Sequence, residues 1–149
     1  IYGVTGGVAE AVVRYCLPDK SNNALQAIRV TDLRGDGAIR EVNLTVEGQE
    51  LHLAIVNGLS HAKELIADVE AGKRFYHLVE VMTCQGGCVG GAGQPYGLTA
   101  AKKRRGAGLY EADSSAMFKR AEKNPIVTRL LEDYGPDRCH ELLHVHYGE

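Results

Sequence analysis

The chain has 149 residues, a formal charge of −2 and, at 44% apolar and 24% charged, the balance of an ordinary globular domain. That near-neutral charge offers no broad electrostatic footprint for nucleic acid, and no apolar run reaches the roughly 20 residues that cross a bilayer, so neither nucleic-acid binding nor membrane insertion is expected. Four cysteines without a disulfide-scaffold composition point to thiol or metal chemistry in a reducing compartment.

Apolar residues at helical spacing over 4–16, with Thr5 placed to cap and Leu17-Pro18 to stop, predict a first helix. Thr5-Gly6-Gly7 either makes a plain N-cap, the favoured case, or leaves first-turn N–H groups open to an anion. The period then falls to near two over 25–31, 39–46 and 51–56, which predicts three strands. Gly35-Asp36-Gly37 and Glu47-Gly48-Gln49 mark turns short enough for antiparallel neighbours. The third strand is apolar on both faces at its end and is expected to be central.

A second helix is predicted to open at Ser60, bury Leu65, Ile66 and Val69, and end at Gly72. Residues 76–82 predict a fourth strand, and the intervening helix calls for a right-handed parallel crossover. Whatever follows that strand lies beyond a carboxyl edge, where open α/β sheets hold their chemistry. Helices are predicted over 100–112, broken by Asp113-Ser114-Ser115, and over 125–134, terminated by Gly135-Pro136. Lys102-Lys103-Arg104-Arg105 is assigned to a solvated turn or helix start in preference to a phosphate-binding patch. A last segment, 137–147, carries His140, His144 and His146. The first two have the spacing of a metal pair but lack the His-Glu-x-x-His pattern, so they are assigned to packing or a solvated tail. The expected fold is a single α/β domain, a mixed sheet of about four strands flanked by helices.

The chemistry is concentrated in residues 80–95, where Cys84 and Cys88 lie among five glycines: Gly86, Gly87, Gly90, Gly91 and Gly93. Glycine is favoured where φ is positive or where another body approaches the backbone, and successive backbone N–H groups can donate to the sulfurs of an anionic cluster. Cys-x-x-x-Cys is one residue longer than a redox dithiol and short of two ligands for closed zinc; by spacing alone it is half of a cluster site. Cys16 and Cys139 are expected to be small buried hydrophobes.

The run from Glu80 to Pro95 resembles the third signature of the iron-only ([FeFe]) hydrogenases, Glu-x-Met-Ala-Cys-Pro-x-Gly-Cys-x-x-Gly-Gly-Gly-Gln-Pro. Three flanking segments are also similar to that family: Gly3-Val4-Thr5-Gly6-Gly7-Val8-Ala9-Glu10-Ala11, Val56-Asn57-Gly58-Leu59 and Leu142-Leu143-His144-Val145-His146-Tyr147. The resemblance implies the C-terminal lobe of an iron-hydrogenase catalytic domain, reversibly interconverting protons plus electrons and dihydrogen at an H-cluster, a [4Fe-4S] cubane joined to a two-iron unit. It implies that Cys84 is a cubane ligand, that Cys88 bridges the cubane to the two-iron unit, that Met82 packs against that unit, and that the five glycines wrap the cluster.

Thr83, Gln85 and Ala92 stand where the family usually has alanine, proline and glycine; these changes remove no ligand and bear on potential or catalytic bias. The family's first two signatures, Thr-Ser-Cys-Cys-Pro and Met-Pro-Cys-x-x-Lys, are absent, and with them two cubane ligands and the proton-relay cysteine. The expectation is a C-terminal portion that is inactive by itself and, alone, binds part of the cluster or none. The implied partners are the rest of the hydrogenase chain and a ferredoxin-like or other electron carrier, in the cytoplasm in preference to the periplasm. The alternatives are a hydrogenase-like iron-sulfur assembly or sensory protein without efficient catalysis, and a metal-free inactive fragment.

Overall fold

A computed structural model describes residues 1–17, 33–46 and 48–145. The sheet is built on β2 (Gln49–Asn57), whose last five residues, Leu53 to Asn57, are all buried. β1 (Ile39–Val46) pairs with it antiparallel, Val42 opposite Leu53, and β3 (Leu78–Met82) pairs with it parallel, Ile55 opposite Glu80 and Asn57 opposite Met82. The order β1-β2-β3 makes β2 central, as its two-sided apolar pattern requires. Gly48, at φ +80°, makes the β1–β2 turn. Three strands are described where about four were expected; the expected strand over 25–31 lies outside the described residues.

Because side chains alternate across a strand, β2 feeds two cores. Leu53 and Ile55 pack with Val42, Leu33 and, from α1 (Gly7–Cys16), Ala9 and Val13. Ala54 and Val56 pack on the opposite face with Ala62 and Leu65 of α2 (Leu59–Glu70). Burying each large aliphatic side chain among these contributes roughly 1.5–3 kcal/mol, which places most of the stability around β2.

Helix details depart from expectation where polar partners intervene. The N-cap of α1 is Gly6, at φ +93°, not Thr5, whose hydroxyl instead donates to Asn57 Oδ1 at 3.1 Å. α2 starts at Leu59 behind Gly58, also at positive φ, so Ser60 falls inside the first turn. Its buried stripe is Ala62 and Leu65 alone; Ile66 and Val69 are 53% and 41% exposed, because one narrow helix face meets the sheet. Gly72 does end it, its N–H donating to Val69 O while Lys73 N–H reaches back to Asp68 O.

α3 (Thr99–Ser115) runs straight through Asp113-Ser114-Ser115, since the Asp113 carboxylate accepts from Arg14 in place of its own backbone. α1, the sheet, α2, α3 and the loops joining them make one compact unit, Ile1–Ser115.

The second unit, Ala116–Glu149, consists mainly of α4 (Pro125–Leu143). Asn124 caps it, its side chain accepting from Ile126 N at 3.0 Å, and Pro125 occupies the first turn. Gly135, at φ +73°, interrupts the helix where Gly135-Pro136 was expected to stop it, and a second helical leg follows. Cys139 is buried there, as expected, whereas Cys16 at the end of α1 is exposed. The His140 and His144 ring centroids lie 4.2 Å apart with the rings tilted at 42°; His146 lies outside the described residues. Among the described residues no helix is long and apolar enough to cross a membrane.

Candidate functional site

The parallel strand β3 ends at Met82 and delivers residues 83–95 beyond the sheet edge. Cys84 and Cys88 both stand on this loop as exposed free thiols. Between them the chain reverses in a turn closed by Gly87 N–H donating to Cys84 O at 2.9 Å, and a single 3-10 turn, Cys88–Gly90, follows. Gly86 and Gly87 hold φ of +88° and +84°, a conformation that other residues adopt only with strain.

The glycines serve different ends. A Cβ on Gly87 would lie 2.8 Å from Gly3 O and 3.0 Å from Thr5 N, and one on Gly90 would lie 2.2 Å from Gln85 O. These two allow backbone to cross backbone. A Cβ on Gly91 would come within 3.6 Å of Cys84 Sγ, so this glycine keeps the space beside a thiol clear. Gly93 meets nothing within 4 Å. The departures from the resembled signature, Thr83, Gln85 and Ala92, are exposed.

The loop is stitched to the entry of α1. Thr5 N–H donates to Gly86 O, and Val89 N–H donates to Gly3 O. Asn57, 8% exposed at the end of β2, accepts at one oxygen from both Thr5 Oγ1 and the Gly86 N–H, joining strand, helix entry and loop. Its own carbonyl accepts from His61 Nδ1 at 2.7 Å. Met82, half-buried, takes the Gly58 N–H on its carbonyl.

One residue before Val81, Glu80 turns its buried carboxylate onto the start of α1, where Gly6 N–H donates to Oε1 at 2.5 Å and Ala9 N–H to Oε2 at 2.7 Å. The favoured plain N-cap of Thr5-Gly6-Gly7 is thus not what forms; the first turn meets an anion, and the anion is the chain's own glutamate.

α1 is held again further along by a buried ion cluster. Glu10 is fully buried and accepts from Arg14 at 2.5 Å and from Arg34 at 2.6 Å, while Arg14 donates twice to Asp113 of α3, at 2.8 and 2.7 Å. Burial pulls the Arg14 pKa down, but the bonds and charges of Asp113 and Glu10 outweigh it and leave it above its ordinary value. Arg34 follows the same balance with Glu10. It also lies 4.1 Å over the Tyr110 ring, whose hydroxyl pKa is raised by burial against the lowering pull of Arg34.

Arg105, from the basic run, grips the cysteine loop itself: Nη1 donates to Val89 O at 2.9 Å and Nη2 to Pro95 O at 2.5 Å. Sequence reasoning passed over Glu80, Asn57, Arg14, Asp113 and Arg105 as actors here. The signal within reach was Glu80, the first residue of the signature; the others become visible only through contacts far apart in sequence.

Chemically, the loop presents soft sulfur donors on a backbone made of glycine, which suits iron or an iron-sulfur cluster. Among the described residues no three His, Cys, Asp or Glu side chains converge on a metal position, so the donor set fits one side of such a group.

Residues 1–92 match the family model for the iron only hydrogenase large subunit, C-terminal domain, and residues 99–149 match that for the iron hydrogenase small subunit. The chain is 37% identical to the NADP-reducing hydrogenase subunit HndD of Solidesulfovibrio fructosivorans, over 99% of this chain and 26% of that protein. It is 29% identical to the cytosolic iron-sulfur assembly component 3 of Bos taurus, over 97% of this chain and 31% of that one. Among solved structures it superposes on the apo [FeFe]-hydrogenase HydA1 from Chlamydomonas reinhardtii with a TM-score of 0.70 and 31% identity, over 99% of this chain and 45% of that one. It therefore spans about a quarter to a third of the two relatives' sequences. With a family-model match over residues 1–92 and similarity in sequence and fold along nearly its whole length, this chain belongs to the iron-only hydrogenase family, in the C-terminal region of the large subunit.

Proposed function

We propose that residues 1–149 are the C-terminal lobe of an [FeFe] hydrogenase that interconverts protons plus electrons and dihydrogen, and that the loop after β3 supplies the thiolate side of its H-cluster. The observation that carries this reading is the pair of exposed thiols, Cys84 and Cys88, on a glycine loop at the carboxyl end of a parallel strand. Cys84 is proposed as a cubane ligand and Cys88 as the bridge between the cubane and the two-iron unit. When bound, the cluster would relay electrons to and from the carrier and supply the iron chemistry by which protons and dihydrogen interconvert. The protein's part is to hold and enclose it. Of the five glycines proposed to wrap the cluster, Gly91 leaves room beside Cys84 Sγ, Gly86, Gly87 and Gly90 shape the backbone that carries the thiols, and Gly93 leaves open space, while Met82 is proposed to lay a polarizable thioether beside the cluster.

Two thiolates are half of what a cubane commonly takes, so the remaining ligands are proposed to come from hydrogenase polypeptide outside these residues. A ferredoxin-like or other carrier is the proposed electron partner, and the cytoplasm the proposed compartment. The test is iron-sulfur reconstitution followed by hydrogen evolution from a reduced dye. Iron uptake is expected to fall in Cys84→Ser and Cys88→Ser, and gas is expected only when the complementary part of the hydrogenase is present. Hydrogen evolved by residues 1–149 alone would overturn the division of the site.

The similarity to an iron-sulfur assembly component along 97% of the chain supports a second reading, a related protein that holds a cluster without efficient turnover. Iron uptake that depends on Cys84 and Cys88, with no hydrogen from the complete, matured protein, would select it.

A further inference from the structure

We infer that Arg105 is a positioning residue for the cysteine loop, and that through it the small-subunit-like segment of the chain fixes the geometry of the cluster ligands; the second half of this inference rests on the cluster reading above. Arg105 lies on α3, inside the stretch that matches the iron hydrogenase small subunit, while the loop it grips falls mainly within the stretch that matches the large subunit. Its guanidinium spans the loop, one nitrogen on the carbonyl of Val89, directly after Cys88, and the other on the carbonyl of Pro95.

Between those carbonyls the chain contains Gly90, Gly91 and Gly93, so little in its own backbone preference holds a shape. A planar fork with two fixed donors sets the separation of the two ends in a way that a single ammonium cannot.

The grip is useful because α3 is itself held. Asp113, about two turns further along the helix, takes both donors of Arg14 from α1, and Tyr110 lies beneath Arg34. α1 is in turn fixed at its start by Glu80, which leads directly into the loop. The ties close a ring running from Glu80 to α1, Arg14, Asp113, α3, Arg105 and back to the loop. Breaking it at Arg105 releases the stretch between Val89 and Pro95, while the bonds of Gly86 and Val89 to the entry of α1 and both hydrophobic cores stay in place. The same bond places a permanent positive charge at the residue beside Cys88.

The test is amide hydrogen exchange on the metal-free protein, followed by the reduction potential of the reconstituted cluster. In Arg105→Gln the peptide covering residues 85–95 is expected to exchange about tenfold faster while β2 is unchanged, since two charge-assisted bonds are lost outside the core. Arg104→Gln, which removes the same charge from the exposed neighbouring side chain, is expected to exchange as the unsubstituted protein does. Arg105→Lys is expected to lie between them, and the cluster potential to shift in Arg105→Gln and return part of the way in Arg105→Lys. Loop exchange in Arg105→Gln within about twofold of the unsubstituted protein, or an equal rise in Arg104→Gln, overturns the inference. Should Arg105→Gln not fold, Arg105→Lys decides, and loop exchange at the unsubstituted rate overturns it. Failure of the unsubstituted protein to take up iron would defeat the cluster reading while leaving the exchange result to stand or fall by itself.

Discussion

Glu80 accepts the N–H of Gly6 at 2.5 Å across 74 residues of sequence, so the strand that leads into the cysteine loop also caps the helix beside it. Its second oxygen takes the N–H of Ala9, and the carboxylate is almost wholly buried. Helix start and loop start are therefore one polar unit, and a change in either reaches the thiols.

Replacing Glu80 by Ala leaves two buried N–H groups without an acceptor and is expected to cost about 2–4 kcal/mol, against a smaller loss in Glu80→Gln, which keeps one carbonyl acceptor. Urea unfolding of the two variants checks this. Equal losses would show that the charge and the second acceptor, which Gln lacks, carry the whole effect and that the one carbonyl Gln keeps contributes nothing.

Gly87 and Gly93 separate the structural glycines from the permissive ones. Gly87→Ala forces a Cβ to 2.8 Å from Gly3 O at a φ of +84°, and is expected to cost at least ~2 kcal/mol and to disorder the loop. Gly93→Ala meets nothing within 4 Å and is expected to stay within about 0.5 kcal/mol of the parent. Thermal unfolding of the pair, side by side, is the measurement.

Asp113→Ala strips Arg14 of its bidentate partner in a setting where the two side chains are 3% and 9% exposed. Removing one member of a buried ion pair typically costs about 3–5 kcal/mol, because the other charge stays in place without compensation. Glu10 still accepts from Arg14, which puts the expected loss at the lower end, about 3 kcal/mol by denaturant titration.

Tyr110 gives a dependence on alkaline pH. Burial raises its pKa above the ordinary 10.0, so the folded protein holds the phenolic proton more tightly than the unfolded chain does. The stability this reflects is fully present below pH 10.0 and is lost as pH rises through the folded value. In Tyr110→Phe the decline of unfolding free energy above that pH is expected to flatten. The slope that survives belongs in part to Tyr76, also raised, first by burial and then by its bond to Glu41. An unchanged alkaline slope in Tyr110→Phe would falsify this assignment.

Because the Cys84 and Cys88 side chains are exposed, their replacement by Ser is expected to leave metal-free stability within about 0.5 kcal/mol of the parent while iron uptake falls. A large drop in stability without metal would mean that the thiols serve packing. Calorimetry of the metal-free variants beside their iron analysis distinguishes the two.

Much of this arrangement can be read in the residues alone. The alternation in 39–46 and the two-sided apolar end of 51–56 are local burial patterns, and they place an antiparallel neighbour and a central strand where both occur. Gly72 as a helix stop and Gly135-Pro136 as a helix break follow from backbone chemistry that no distant residue needs to supply. The cysteine loop is legible for the same reason, since its glycines and thiols are contiguous.

Tertiary structure decided which distant group satisfies each polar one. Thr5 looked like a helix cap, yet its hydroxyl goes to Asn57, and a carboxylate from β3 caps the helix in its place. Asp113 looked like a helix breaker until Arg14 occupied its oxygens, and Arg105 looked like one of four solvated charges until two loop carbonyls claimed it. Ile66 and Val69 keep the spacing of a buried stripe but lie outside the narrow face of α2 that meets the sheet. Periodicity records which face of an element is apolar; it carries no record of which partner, tens of residues away, will complete a hydrogen bond.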